Sequence, residues 1–364
     1  MTSKRTILKT RTAIFLLLCF VLSTVAIIIL VAVSDQIKNV QGSFLRVFPP
    51  QAIEEEVSFN VGHNAYYIAG TTQTDIYLGN YLYPMHLLKI NNELTDTSHI
   101  LLDIPEIWQE DFRAIKVSLD SPFFNVWDGS IPRILHGKVF DWCTERFPFD
   151  AEYFQDFLPI SKGLYVIRSL HGKTGINMLG VISMDSPHYR FNTGILKKQI
   201  DGVFCTEGVM CYNQDRNRVY YVYRYRNEII EIDSNLSVTN TGRTLDTISV
   251  AKIKIDTINN SGSTTFSAPP IHVNKRAATN GSAIFVNSAL LARNEPMGAH
   301  KKSEVVDVYD LRDMSYQFSF YIHKYSGREG ISDFAIRGGR LIVLFQSEIQ
   351  VYQLNPKYFT TLLI

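Results

Sequence analysis

The feature that most constrains this 364-residue chain is an uncharged apolar run of 21 positions, Ala13 to Val33 (AIFLLLCFVLSTVAIIILVAV). As a helix rising about 1.5 Å per residue, it matches the roughly 30 Å hydrocarbon core of a bilayer. A helix is also the one way a single segment satisfies its backbone in lipid. Lys4, Arg5, Lys9 and Arg11 precede the run with no acidic residue among them, whereas Asp35 and Lys38 follow it. This Lys/Arg bias predicts residues 1–12 as a cytoplasmic tail and 13–33 as a transmembrane signal anchor. Residues 34–56 then read as a linker and 57–364 as an extracytoplasmic domain, periplasmic in a Gram-negative source. Ala32-Val33-Ser34 offers a cleavage site and keeps a cleaved signal peptide as the alternative; against it stands an apolar run longer than the usual stretch of about 7–15 residues. A lipoprotein signal is excluded, because Leu18 rather than a small residue precedes Cys19.

The residues beyond the run are numerous enough for a large core, given 46% hydrophobic and 12% aromatic content over the chain. Net charge is +1, from 36 basic and 35 acidic residues, and no Lys/Arg stripe is interleaved with aromatics. Nucleic acid is therefore not an expected partner. Outside the apolar run the cysteines are Cys143, Cys205 and Cys211, an odd number that cannot all pair within the chain. A Cys205–Cys211 bridge would require the chain to fold back at Glu207-Gly208, so buried thiols are the expectation.

Helical periodicity is almost absent beyond residue 40, and short β-branched and aromatic runs recur between turn residues, an all-β signal. Arg218 to Asp233 (RVYYVYRYRNEIIEID) reads as a hairpin turning at Arg226-Asn227. The last unit repeats that plan: ISDFAI, a Gly338-Gly339 turn, RLIVLFQ, a turn at Ser347, then EIQVYQL. Further units begin near Ala65 and Arg113, another contains GLYVIRSL and MLGVISMD, and another SAIFVNSALL and SEVVDVYDL. The Leu-His-Gly-Lys sequences at Leu135 and Leu170, 35 residues apart, suggest a blade-like period. The expected fold is a six-bladed β-propeller, with seven blades or a split β-sandwich as alternatives. The final unit is one strand short, and ring closure falls either to Val57–Val61 or to the C-terminal YFTTLLI.

Apparent chemical motifs dissolve on inspection. Gly172-Lys173-Thr174 has Ile167 where a phosphate loop needs its first glycine, so it reads as a hairpin turn. Asn213 to Asn217 mimics the start of a calcium loop, yet Arg218 and Arg224 occupy the positions of the turn glycine and the bidentate glutamate. No HExxH, HxH or GxSxG is present. No complete catalytic motif is found, and no cofactor is expected.

The apolar run, the YRNEIIEID hairpin, SAPPIHVN, VVDVYDL and the closing GGRLIVLFQSEIQVYQL resemble membrane-anchored or secreted bacterial proteins of the six-bladed, TolB-like propeller class. The resemblance covers most of residues 60–355 and implies a bacterial extracytoplasmic propeller, with no catalytic residue to carry over. The expected function is a binding, scaffold or sensor module for an envelope protein or small ligand, held to the bilayer by residues 13–33. The alternative is a metal-dependent propeller hydrolase or lactonase with its site in the central channel. Polar residues at the starts of inner strands should converge at one channel mouth, and Asp111, Arg113, Asp201, Glu207, Ser332 and Asp333 are the candidates. Carboxylates gathered there would favour a cation or a basic group of a partner, with Arg113 as an internal source of that charge.

Overall fold

The computed structural model describes residues 14–30, 42–105, 113–147, 153–257, 264–324 and 330–363. The chain divides into two units, Met1–Gln41 and Gly42–Ile364. In the first, residues 14–30 form a helix whose side chains are all exposed. The Ser23 and Thr24 hydroxyls each donate to Phe20 O at 2.8 Å, the local bond such residues make within helices. Its 17 residues extend about 25 Å. Among the described residues no helix is long and apolar enough to cross a membrane. Positions 13 and 31–33 of the apolar run lie outside the described residues.

The second unit consists of six four-stranded antiparallel sheets, the blades of a propeller. Blade one holds β2 (Tyr66–Thr71), β3 (Asp75–Asn80), β4 (His86–Asn91) and β5 (Thr97–Leu101). Blade two holds β6 (Lys116–Asp120), β7 (Phe123–Asp128), β8 (Arg133–Lys138) and β9 (Thr144–Arg146). Blade three holds β10 (Phe154–Ser161), β11 (Leu164–Leu170), β12 (Asn177–Ser183) and β13 (Tyr189–Asn192). Blade four holds β14 (Gly208–Asn213), β15 (Arg218–Tyr223), β16 (Glu228–Ile232) and β17 (Val238–Arg243). A small hairpin, β18 (Ile255–Thr257) and β19 (Thr264–Phe266), leads to blade five, which holds β20 (Asn274–Asn280), β21 (Ala283–Ser288), β22 (Ser303–Asp310) and β23 (Ser315–His323). Blade six combines β24 (Asp333–Arg337), β25 (Arg340–Leu344) and β26 (Glu348–Leu354) with β1 (Ile53–Asn60), in the order β1-β26-β25-β24.

Closure of the ring thus falls to the N-terminal strand. Ile53 pairs with Leu354 and Asn60 with Glu348, and a bulge lies between Glu55 and Val57. This outer strand is exposed and carries Glu54, Glu55 and Glu56, charges that discourage edge-to-edge association. The C-terminal segment forms instead a one-turn helix, Pro356–Phe359, capped by the Asn355 side chain accepting from Lys357 N. The segment read as a linker joins the compact unit from Gly42 onward.

Burial follows from position in the blade. Middle strands such as β15 and β22 are covered on both faces by neighbouring blades; β15 is an apolar run after Arg218, whereas β22 is buried throughout although it carries Glu304, Asp307 and Asp310. Inner strands alternate, as in β6 and β24, because one face is packed and the other lines the channel. Apolar clusters sit between neighbouring blades: Leu87 with Val126 between one and two, Trp127 with Ile167 between two and three, and Val166 with Tyr221 between three and four. Val222 with Val286 joins four to five, Phe285 with Val343 five to six, and Leu78 with Val351 six to one. Each such side chain fully buried stabilises the ring by about 1.5–3 kcal/mol.

Two sequence expectations are corrected by this layout. Leu135–Lys138 lies in β8, the third strand of its blade, whereas Leu170 ends β11, a second strand, and His171 to Lys173 lie in the turn that follows. The recurrence is therefore no blade repeat, and the second strands begin at uneven intervals: Asp75, Phe123, Leu164, Arg218, Ala283 and Arg340. All four cysteines are free, with Cys205 and Cys211 buried but Cys143 exposed in the short β8–β9 connection. The Gly338-Gly339 turn stands as read: both residues have positive φ, 56° and 77°, which a two-residue hairpin loop of this kind requires.

Candidate functional site

The inner strands β2, β6, β10, β14, β20 and β24 neighbour one another around the axis and enclose the channel. Ile68, Ser118, Phe157, Met210 and Asp333 form its waist, lining both the cavity above and the cavity below. The upper cavity, at the starts of the inner strands, measures about 670 Å³. The lower one measures about 930 Å³ and reaches Asp120, Asp215 and Arg337 at the other mouth.

Strand alternation decides which side chains meet in the upper cavity. In β6, Val117 and Leu119 turn into the packed face, and Lys116 and Ser118 reach the cavity. In β24, Phe334 and Ile336 are buried in the core while Asp333 lines the cavity. From β20 comes Arg276, next to the register shift between Asn274 and Arg276. Asp333 is held by backbone: Ile68 N donates to Oδ2 at 3.1 Å and Phe334 N to Oδ1 at 3.0 Å. Burial pushes its carboxyl above the ordinary carboxylate value, and the positive charge of Arg276 and Lys116 opposes that only in part.

The two cations are held by rings and backbone rather than by an ion pair with a carboxylate among the described residues. Lys116 Nζ lies 5.6 Å from the Tyr81 ring centroid and 5.4 Å from that of Trp127, a cation held by two rings. The Trp127 ring is itself fixed, its Nε1 donating to Ser118 Oγ at 3.0 Å. Arg276 Nε donates to Ile331 O at 3.0 Å. Burial pushes the Arg276 guanidinium below its ordinary value and Arg224 adds to this, while Asp333 opposes it. Neither Lys116 nor Arg276 forms an ion pair with a described residue. Glu304 does not supply one either, since it is engaged by Lys275 at 2.5 Å and Lys324 at 3.3 Å.

Of the six residues singled out from the sequence, the structure brings Ser332 and Asp333 to the upper cavity. Arg113 lines an adjoining recess of about 330 Å³ with Tyr81, Pro84 and Lys116, and its backbone N–H donates to Asp128 Oδ2 at 2.6 Å. Glu207 is paired with Arg224, whose Nε is 2.9 Å from Oε1, and accepts from the Tyr225 hydroxyl at 3.3 Å. Asp201 is turned into its own loop, accepting from the backbone N–H of Val203, Phe204 and Cys205 at 3.2, 2.8 and 2.9 Å. Asp111 lies outside the described residues. Two cations beside a single buried carboxylate, rather than a ring of carboxylates, make up the charge of this mouth. Lys116 and Arg276 obey the same strand-start rule that selected those six residues, but Arg113 was the one cation chosen by it and these two were passed over.

The apparent phosphate-loop fragment is the β11–β12 turn, where Gly175 N donates to His171 O at 2.7 Å. The apparent calcium loop is the β14–β15 turn, in which Asn213 Oδ1 accepts from Arg216 N at 2.9 Å. Among the described residues no group of three or more His, Cys, Asp or Glu side chains is arranged to hold a metal ion.

No known protein family matches the chain, and no curated protein matches it either. Among solved structures it is similar to a chain in the crystal structure of a nidogen/laminin complex, at 10% identity and a TM-score of 0.42, over 71% of this chain and 78% of that one. A chain of the mitotic checkpoint complex is similar at 10% identity and a TM-score of 0.48, over 85% of this chain and 98% of that one. Hsv2 of Kluyveromyces lactis is similar at 13% identity and a TM-score of 0.38, over 77% and 69%. At these scores the six-bladed assignment rests on the chain's own six sheets.

Proposed function

We propose that this chain is a binding or scaffold module that captures its ligand or partner at the upper mouth of the propeller channel. We also propose that the module is held on the outer side of a bacterial cell membrane, as the TolB-like resemblance implies. The observation that carries the binding reading is the upper cavity. All six inner strands contribute to a concave, partly aromatic space in which Lys116 and Arg276 form no ion pair with a described carboxylate. Its size lies within the range of small-molecule sites, about 300–1,000 Å³. The exposed Tyr81-Leu82-Tyr83 loop beside it, 53, 71 and 66% accessible, adds an apolar rim for a partner. The basic flank and the apolar run at 13–33 support the anchor and the cytoplasmic N-terminus.

A photo-crosslinking amino acid at Tyr83, set against one at Val238 on the outer strand of blade four, tests the capture site in cells. A partner or ligand adduct formed from Tyr83 and absent from Val238 supports the reading; equal adducts from both positions, or none from Tyr83, defeat it. Protease added to spheroplasts tests the placement, since digestion of the propeller is expected and full protection overturns it.

A further inference from the structure

Resting on the reading of the upper cavity as the capture site, we infer that its ligand is a small oxyanion, a carboxylate or phosphate group seated between Lys116 and Arg276 against the Tyr81 ring. Three observations converge on this chemistry. The Lys116 ammonium is positioned by two aromatic rings, which orient it without cancelling its charge. Arg276 spends Nε on the Ile331 carbonyl, and no described residue accepts from its terminal nitrogens. With Nε engaged, these two terminal nitrogens are the donors left to fork onto an oxyanion.

The surrounding charges do not satisfy the pair. Facing Arg276 are Asp333, Arg224, Tyr81 and Glu304; Glu304 is held by two lysines and Arg224 by Glu207. Facing Asp333 are Arg276, Lys116 and Tyr81, and burial disfavours its ionised form. The cavity therefore carries at least one net positive charge in a partly desolvated space, where a ligand anion gains more than it would in water. A cationic or neutral ligand would leave that charge unmet.

The test is equilibrium dialysis of the full-length chain, in mild detergent, against labelled citrate and labelled inorganic phosphate at low salt. Saturable one-to-one uptake of at least one probe is expected, weakening as potassium chloride is added. Lys116→Met should weaken it about tenfold or more, whereas Lys116→Arg should retain most of it. Thermal midpoints of both variants verify that the propeller is intact, and Arg276→Lys supplies a second variant that keeps a charge and loses the fork. No saturable uptake, or uptake indifferent to Lys116→Met and Arg276→Lys, overturns the inference. The crosslink from Tyr83 is read in cells in parallel. Persistence of that crosslink without anion uptake defeats only the oxyanion assignment; loss of both removes the capture site as well.

Discussion

The Arg46 guanidinium forks onto Asp307, with Nε 2.7 Å from Oδ1 and Nη2 3.0 Å from Oδ2, although the two residues are 261 positions apart. Its Nη1 bonds Glu295 and the Leu290 carbonyl, and all three charged side chains are almost wholly buried. Burial alone would push the guanidinium down; Asp307 and Glu295 outweigh it and hold Arg46 above its ordinary value. Around this pair the segment ahead of β1, residues 42–48, forms a strap stitched to blade five by backbone, with Gly42 N donating to Leu291 O at 2.7 Å and Ser319 N to Val47 O at 2.8 Å.

Arg46→Met would leave Glu295 and Asp307 buried without a cation. A loss of about 3–5 kcal/mol in chemical denaturation is expected. The triple change Arg46→Met, Glu295→Gln, Asp307→Asn should recover most of it. A loss below about 1 kcal/mol, the value of an exposed pair, would show that the strap does not depend on this cluster.

Asp333 carries the opposite sign. Its folded carboxyl value is raised by burial, so the folded state prefers it protonated, and the ionised form costs stability once pH exceeds the ordinary carboxylate range near about 4. That cost grows until pH passes the raised folded value and then stays constant. Asp333→Asn keeps an acceptor for Ile68 N and removes the cost. Its melting midpoint at neutral pH should equal or exceed that of the wild type, and the difference should vanish as pH falls to about 4. A midpoint lower than wild type at neutral pH would refute this account.

Asp201 serves its loop rather than the cavity. Asp201→Ala orphans three backbone donors and should cost about 1–3 kcal/mol, while crosslinking from Tyr83 stays at wild-type level. Reduced crosslinking at a temperature where the variant is fully folded would return Asp201 to the functional site.

What was legible in the sequence follows strand position. Middle strands such as Arg218–Tyr223 and Arg340–Leu344 stand out because both faces are buried, and their aromatic and β-branched residues run without interruption. Inner strands are harder to see. Phe154–Ser161 carries Asp156 and Pro159, and Gly208–Asn213 begins on a glycine whose added Cβ would lie 2.3 Å from the Tyr221 ring. Channel-facing positions tolerate polar residues, which breaks the run that marks a strand. Thr144–Arg146 is too short to register, and Ile53–Asn60, with its three glutamates, resembles a linker until its partner β26 is known. Lys116 and Arg276 share the cavity only through the meeting of blades two, five and six, a relation no local spacing encodes.

That dependence of closure on β1 yields the last prediction. β1 supplies the fourth strand of blade six, and every backbone pair from Ile53↔Leu354 to Asn60↔Glu348 joins the beginning of the propeller to its end. Val57 and Phe59 also pack against the cluster formed by Leu78, Ile342 and Val351 between blades six and one. A chain beginning at Gly62 would lack this strand and the Arg46 strap together, exposing the β26 edge and leaving the carboxylates of Glu295 and Asp307 unpaired. It should unfold without a single cooperative transition and associate through the open edge. A chain beginning at Gly42 keeps both features and should unfold with the midpoint of the full propeller. Supplying Ile53–Asn60 as a separate peptide should restore part of the lost cooperativity in the shorter chain, because the pairing is backbone-directed and its apolar contacts are local to the blade. Calorimetry on the two truncated chains decides the matter: one transition at an unchanged midpoint for the chain starting at Gly62 would show that the ring closes without its N-terminal strand.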